Sequence, residues 1–250
     1  MDKTLVKTHE IMLKILIEVD KLCHKHNIQY WLDSGTLLGA VRHKGFIPWD
    51  DDLDISMSLD DYYKFIEVAQ KELPKGMMIQ TSDTDVTFPY DFAKIRDNRG
   101  IIIEQHEKNK NVKYNQGIFL DILPVIAIPS SKYYFFRYKL LFLVIKLFSY
   151  KYLNIKRIRT FLVKRHDYIR DKSNTVIIRS GKFPELSFYV KKRDIFPLQK
   201  ILFENKKFFV PNNTDVYLKS LYGEKYMLLP PEDKRYAHAY LIKVDEKIYE

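Results

Sequence analysis

Apolar residues recur every three or four positions over 4–26. Leu5, Met12, Ile15, Leu16, Val19, Leu22 and Cys23 form one side of an amphipathic helix that Asn27 can end. Residues 28–32 then predict a short strand, Ser34-Gly35-Thr36 a small-residue turn, and 37–41 a short helix. Residues 53–57 (LDISM) alternate as a strand with one polar face does. Ser58 is a good N-cap for a helix over 59–73, whose apolar side is Tyr62, Phe65, Ile66, Ala69 and Leu73, and Pro74 stops it. Strands are expected at 77–81, 88–96, 101–104 and 117–123, with a polar, flexible loop over 105–116. The pattern is mostly helical over 131–172. It then predicts strands at 201–203 and 207–210, and a helix over 214–221 between Asn213 and Gly223. Strands and helices alternating through the first half argue for an α/β or α+β sheet domain.

The chain has 250 residues, enough to bury a sizeable core. No internal repeat or low-complexity linker divides it. A single domain over 1–250 is therefore expected, with a helical insertion at about 130–172. Its 46% hydrophobic and 30% charged residues exclude a disordered chain. Cys23 has no partner for an internal disulfide, which suits a reducing cytoplasm. Asp2, Lys3, Lys7 and Lys14 interrupt the apolar run that a signal peptide would need.

The net charge of +10 is concentrated in one place. Residues 132–172 hold twelve Lys and Arg against Asp167 and Asp171, interleaved with eleven aromatic residues. The longest apolar run there, 140–145, falls far short of the roughly 20 residues of a membrane span. One reading is peripheral contact with an anionic membrane surface. The other is a core helix with a solvated basic face. No nucleic-acid-binding motif accompanies the charge, so nucleic acid is not expected as a partner.

The chemistry is densest at residues 30–57, YWLDSGTLLGAVRHKGFIPWDDDLDISM. Asp50, Asp51, Asp52 and Asp54 crowd into five positions beside Phe46, Ile47, Trp49, Leu53 and Ile55, which favour burial. Two such charges ~4 Å apart repel by about 4 kcal/mol at an effective dielectric near 20. Half-buried carboxylates at this density need a cation, and their hard oxygens suit Mg²⁺, Mn²⁺ or Ca²⁺. Asp52 and Asp54 are two apart, so on a strand they share a face and can grip one ion. Asp121, between Leu120 and Ile122 in FLDIL, can supply a third carboxylate from another strand. An EF-hand is excluded, because its glycine position holds Ile55 and its final glutamate position holds Asp61. A glycosyltransferase of the Asp-x-Asp type does not account for the upstream Ser34-Gly35 turn. That turn suits a phosphate, and Arg42 and Lys94 are candidate phosphate contacts. Arg235 and His238, after Pro230-Pro231, either close over a donor or cap the fold.

A Gly/Ser turn, then Asp-x-Asp, then a distant Asp resembles the nucleotidyltransferase superfamily with its DNA polymerase β-like mixed sheet flanked by helices. At closer range the chain resembles the LicD family, to which fukutin and fukutin-related protein are similar. The resemblance rests on YWLDSGTLLGAVRHKGFIPWDDDLDI, FAKIRD at 92–97, FLDILP at 119–124, FPLQKILFENKKFFVPNN at 196–213 and LYGEKYMLLPPEDKRYAH at 221–238. It implies an Mg²⁺-dependent phosphotransferase (Mn²⁺ being the alternative ion). The enzyme would move a phospho-alcohol, phosphocholine foremost, from a CDP-activated donor such as CDP-choline to a sugar hydroxyl of a cell-surface glycan. That glycan would be a lipopolysaccharide, capsule or teichoic acid precursor in bacteria. By the same resemblance Asp52, Asp54 and Asp121 hold the metal, while Ser34, Gly35 and Thr36 bind phosphate. It implies a cytoplasmic enzyme, peripheral at the inner face of the membrane. The alternatives are a CDP-glycerol or CDP-ribitol phosphotransferase, a nucleotidyltransferase using an NTP, and a non-catalytic glycan assembly protein.

Overall fold

The computed structural model describes residues 3–90, 92–129, 133, 136, 140, 175–179 and 190–244. The expected helical, basic segment over 131–172, with its membrane reading, lies outside the described residues apart from three isolated positions.

Helix α1 (Lys3–Lys25) forms as its apolar spacing requires. Ile11, Met12, Ile15, Leu16 and Val19 are wholly buried. Each such side chain is worth roughly 1.5–3 kcal/mol over exposure. β1 (Tyr30–Leu32) pairs antiparallel with β2 (Asp54–Ser58). Between them lies α2 (Ser34–Arg42). Helix α3 (Leu59–Glu72) starts at the Ser58 cap, whose hydroxyl accepts from the Asp61 N–H at 3.2 Å.

β3 (Met77–Gln80), β4 (Ala93–Glu104) and β5 (Gly117–Pro129) complete the centre of a mixed sheet of order β1-β2-β5-β4-β10, where β10 is Ala239–Val244. β2 and β5 run parallel, whereas β5–β4, β4–β3 and β4–β10 are antiparallel. Further out, β6 (Thr175–Arg179) pairs with the second half of β5, and β7 (Val190–Lys191) with β6. Helices α1 and α3 pack against each other and against the sheet. A short helix α4 (Lys192–Ile195) leads to a separate hairpin, β8 (Gln199–Phe203) and β9 (Lys206–Val210). Helix α5 (Thr214–Tyr222) is capped by Asn213, ends at Gly223 and packs on α2. This is an α/β architecture, a mixed sheet flanked by helices, compatible with the nucleotidyltransferase class.

Three sequence expectations are corrected. Ser34-Gly35-Thr36 is not a turn ahead of a helix but the helix's own first turn, because buried Asp33 caps it by accepting from the Ser34 N–H at 2.6 Å. The strands expected at 88–96 and 101–104 are one strand from 93 to 104, with an irregularity between Asp97 and Ile101 that absorbs the polar Asn98-Arg99 pair. The stretch 105–116 is pinned by buried Glu107, whose carboxylate accepts from Tyr114 at 2.6 Å, Gln116 at 2.8 Å and the Glu104 N–H at 3.0 Å.

Asp33 also ties the front of the molecule to its back. Its second oxygen accepts from Ser56 Oγ at 2.5 Å, and its first also accepts from Tyr217 Oη at 2.9 Å. Tyr217 Oη in turn accepts from Trp31 Nε1 at 3.1 Å. All four side chains are fully buried. Asp33→Ala removes the cap and leaves buried hydroxyls short of an acceptor. A stability loss of about 2–4 kcal/mol is expected by urea denaturation. A loss below ~1 kcal/mol would deny this network its structural role.

Candidate active site

The end of β1 and the start of β2 lie at the same end of the sheet, because the two strands are antiparallel. The α2 N-terminus and the Asp run therefore meet there. A Cβ on Gly35 would stand 2.6 Å from Asp50 Oδ2 and 3.8 Å from Asp52 Oδ1. Only glycine lets the Asp50 carboxylate approach the helix start so closely. Ser34 reaches the turn with φ at 48°, in the left-handed region, at a cost of roughly 1–2 kcal/mol. The Gly35 and Thr36 N–H groups belong to a first helical turn, which has no acceptor within its own helix and suits an anion. The Thr36 hydroxyl accepts from the Asp54 N–H at 2.8 Å and so fastens the helix to β2.

Asp121 sits beside Asp54 in the parallel β2–β5 register, and its N–H donates to Leu53 O at 2.8 Å. Asp52, just ahead of β2, feels Asp121, Asp51, His238 and Lys94. Burial first, then Asp121 and Asp51, raises the Asp52 pKa from 3.8 to about 6. Burial first, then Asp52 and Asp51, raises Asp50 to about 8. A cleft of about 240 Å³ opens here, lined by Asp51, Asp52, Glu104, His106, Phe119 and Asp121 among others.

The expected cations take different positions. Lys94 is buried, its ammonium 2.8 Å and 3.1 Å from the two oxygens of Asp121, 3.7 Å from Glu104 Oε2 and 3.5 Å from the centre of the Phe119 ring. It is thus committed to carboxylates inside the fold. Arg42 donates to the Tyr226 and Leu228 carbonyls at 3.2 Å and 3.3 Å and senses Asp50. Arg235 donates to the Pro230 carbonyl at 2.8 Å and stands 5.5 Å from the half-buried Trp49 ring. His238 is mostly exposed and lies 3.6 Å from Asp51.

Sequence reasoning gave Asp51 no separate part. Its buried carboxylate accepts from the His238 and Ala239 N–H groups, stapling the C-terminal strand over the Asp run. His9 was also missed. Its Nε2–H donates to the Asp50 carbonyl at 2.7 Å, and its ring stacks 4.2 Å from Phe46. Glu204, at the tip of the β8–β9 hairpin, accepts from the Phe46 N–H at 3.0 Å. The approach to the Asp run is thereby held from both sides. Glu104 closes the cleft's far wall, and its only sequence signal was a carboxylate ending an apolar run, IIIE.

The donor set fits a divalent cation. Asp121 Oδ1 is buried and makes no well-aligned hydrogen bond, for all its closeness to the Lys94 charge. Burial first, and then neighbouring carboxylates, raise the Asp50 and Asp52 pKa values above the usual carboxylate range. Without metal the folded state therefore binds protons more tightly than the unfolded chain. Stability then falls as pH rises from about 4 towards 8. The melting temperature in chelator is expected to be lower at pH 8 than at pH 5.5, and Mg²⁺ should raise it most at pH 8. A melting temperature indifferent to Mg²⁺ at both pH values would overturn the metal assignment.

Fold and site together define a nucleotidyltransferase-like protein with clustered carboxylates beside a helix N-terminus. Residues 27–139 match the family described as LicD/FKTN/FKRP, nucleotidyltransferase domain. It is 29% identical over 273 residues to the lipopolysaccharide cholinephosphotransferase LicD of Haemophilus influenzae, covering 94% of this chain and 96% of that one. A 34-residue stretch is 53% identical to the ribitol 5-phosphate transferase FKRP of Homo sapiens, covering 14% of this chain and 7% of that protein. Among the described residues, no helix is long and apolar enough to cross a membrane.

Proposed function

We propose that this phosphotransferase moves a phospho-alcohol, phosphocholine foremost, from a CDP-activated donor to a sugar hydroxyl of a cell-surface glycan, releasing CMP. The observation that carries the reading is the in-register pairing of Asp54 with Asp121, beside Asp52 and the Gly35 turn. The similarity to LicD of Haemophilus influenzae over nearly the whole chain supports phosphocholine as the group moved and a lipopolysaccharide precursor as the acceptor.

In this reading Asp52, Asp54 and Asp121 would hold Mg²⁺, or Mn²⁺ in its place. The metal would neutralise the pyrophosphate charge that otherwise repels an incoming oxygen. Gly35 and Thr36 N–H groups and the Ser34 hydroxyl would seat a donor phosphate at the α2 N-terminus. Arg42 lies beside Asp50, where its remaining N–H groups can reach the same phosphate. Lys94 holds the Asp121 carboxylate in place at the cleft. Asp121 is the proposed general base for the acceptor hydroxyl. Trp49, with Arg235 beside it, offers a flat surface for the cytosine. Asp51 and His238 close the site from the C-terminal strand. We further propose one domain over 1–250, working in the cytoplasm with the basic segment 132–172 against the inner membrane face.

Product analysis tests the reaction. With CDP-choline, Mg²⁺ and a lipopolysaccharide precursor, CMP should appear in step with phosphocholine-labelled glycan. Release of pyrophosphate from CTP instead would identify a nucleotidyltransferase.

A further inference from the structure

The cleft wall opposite the Asp run has a chemistry that the reaction as described does not use. Glu104 ends β4 and opens a 3-10 turn over Gln105–Glu107. One of its oxygens accepts from the Glu107 N–H in a capping box. The other, Oε2, is buried without a hydrogen bond, and its nearest cation is Lys94 at 3.7 Å. Lys94 is itself matched by Asp121, which both its contacts favour. Asp51 is spent on backbone N–H groups, and Asp52 belongs to the Asp run. Glu104 therefore shares Lys94 with Asp121 and keeps one buried oxygen free of hydrogen bonds at the cleft.

Its neighbours on that wall are apolar or aromatic. Ile102, Phe119 and Ala239 line the cleft with it, as does the His106 ring. Tyr90 packs edge-on to His106 at 5.9 Å and lies 5.1 Å from Phe92. The Lys94 ammonium shows what this corner stabilises: a positive charge buried among Phe119, Phe92 and Tyr90 at 3.5, 5.5 and 6.0 Å. A carboxylate oxygen free of hydrogen bonds in an aromatic and aliphatic wall is the recognition chemistry of a quaternary ammonium. Such a cation donates no hydrogen bonds and presents methyl groups. At about 240 Å³ the cleft is below the usual range for whole drug-sized ligands, so it suits a small headgroup rather than a nucleotide.

We propose that Glu104, with Phe119 and His106 and with Tyr90 packed behind His106, forms the headgroup subsite and selects a trimethylammonium over a polyol. The assignment rests on the donor reading given under Proposed function and adds to it the residues that distinguish one alcohol from another.

Calorimetric titration of the full chain with CDP-choline, CDP-glycerol, CMP and tetramethylammonium, each with Mg²⁺, tests it. CDP-choline should bind roughly tenfold or more tightly than CDP-glycerol. Glu104→Gln retains an oxygen for the Glu107 cap and loses the charge. It should erase that preference while CMP affinity holds. Tyr90→Leu, half-buried against His106, should weaken CDP-choline and leave CDP-glycerol unchanged, which avoids the folding risk of replacing buried Phe119. Equal binding of the two donors by the native protein, or equal losses for both in the variants, overturns the subsite. If CMP and both donors fail to bind, the donor reading falls by itself. Tetramethylammonium then decides the subsite: binding lost in Glu104→Gln sustains it, and no binding removes it.

Discussion

Asp52→Asn is expected to lower phospho-alcohol transfer by about 10²–10³-fold or more while the melting temperature of the metal-free protein holds or rises. The two halves of this result have one cause. Asp52 is buried against Asp121 and Asp51, and its pKa of about 6 records that the folded protein resists its charge. A neutral amide of the same shape relieves that repulsion. It also removes a carboxylate from the set proposed to hold the metal, which is the trade of stability for activity that functional sites show. Steady-state transfer with CDP-choline and a thermal melt in chelator read the two effects. Full activity in this variant would refute the role given to Asp52. Loss of activity with a large drop in melting temperature would recast Asp52 as structural.

Lys94→Met should act on the opposite side of the ledger. The ammonium is buried between Asp121 and Glu104, and its removal leaves two carboxylates facing each other without a counter-charge. Breaking a buried pair in this way costs about 3–5 kcal/mol. Urea denaturation at pH 7.5 should show that loss. A phosphate-contact lysine would behave differently, weakening donor binding with little change in stability. A loss under ~1 kcal/mol with a large rise in KM would restore that role.

The site was unevenly legible in the chain. The Asp run announced itself because four like charges among apolar residues have no local remedy. Asp121 was legible for the same reason, as a charge inside an apolar strand. Their meeting was not legible, since register between strands 54–58 and 117–129 is set by the whole sheet. Lys94 illustrates the difference. Its place on a strand was foreseen, but whether its ammonium faces a ligand or a carboxylate depends on which residue the next strand sets beside it, and register gives it Asp121. Thr36 likewise read as part of a phosphate turn, and its hydroxyl is engaged with the Asp54 backbone. Asp33 could have been found, because an Asp ahead of a small-residue helix start is an N-cap signal. Its link to Tyr217 could not, since 184 residues separate the two.

Local pattern by itself determined the helices α1, α3 and α5, the α/β class and the carboxylates around which any chemistry must be built, because periodicity, caps and charge density act over a few neighbouring residues. Tertiary structure alone decided the merging of two expected strands into β4, the enrolment of Ala239–Val244 as β10, the burial of Lys94 and the placing of Glu104 across the cleft from Asp52. Each of these depends on a contact between segments far apart in the chain, and the free energy of such a contact is written in both partners at once.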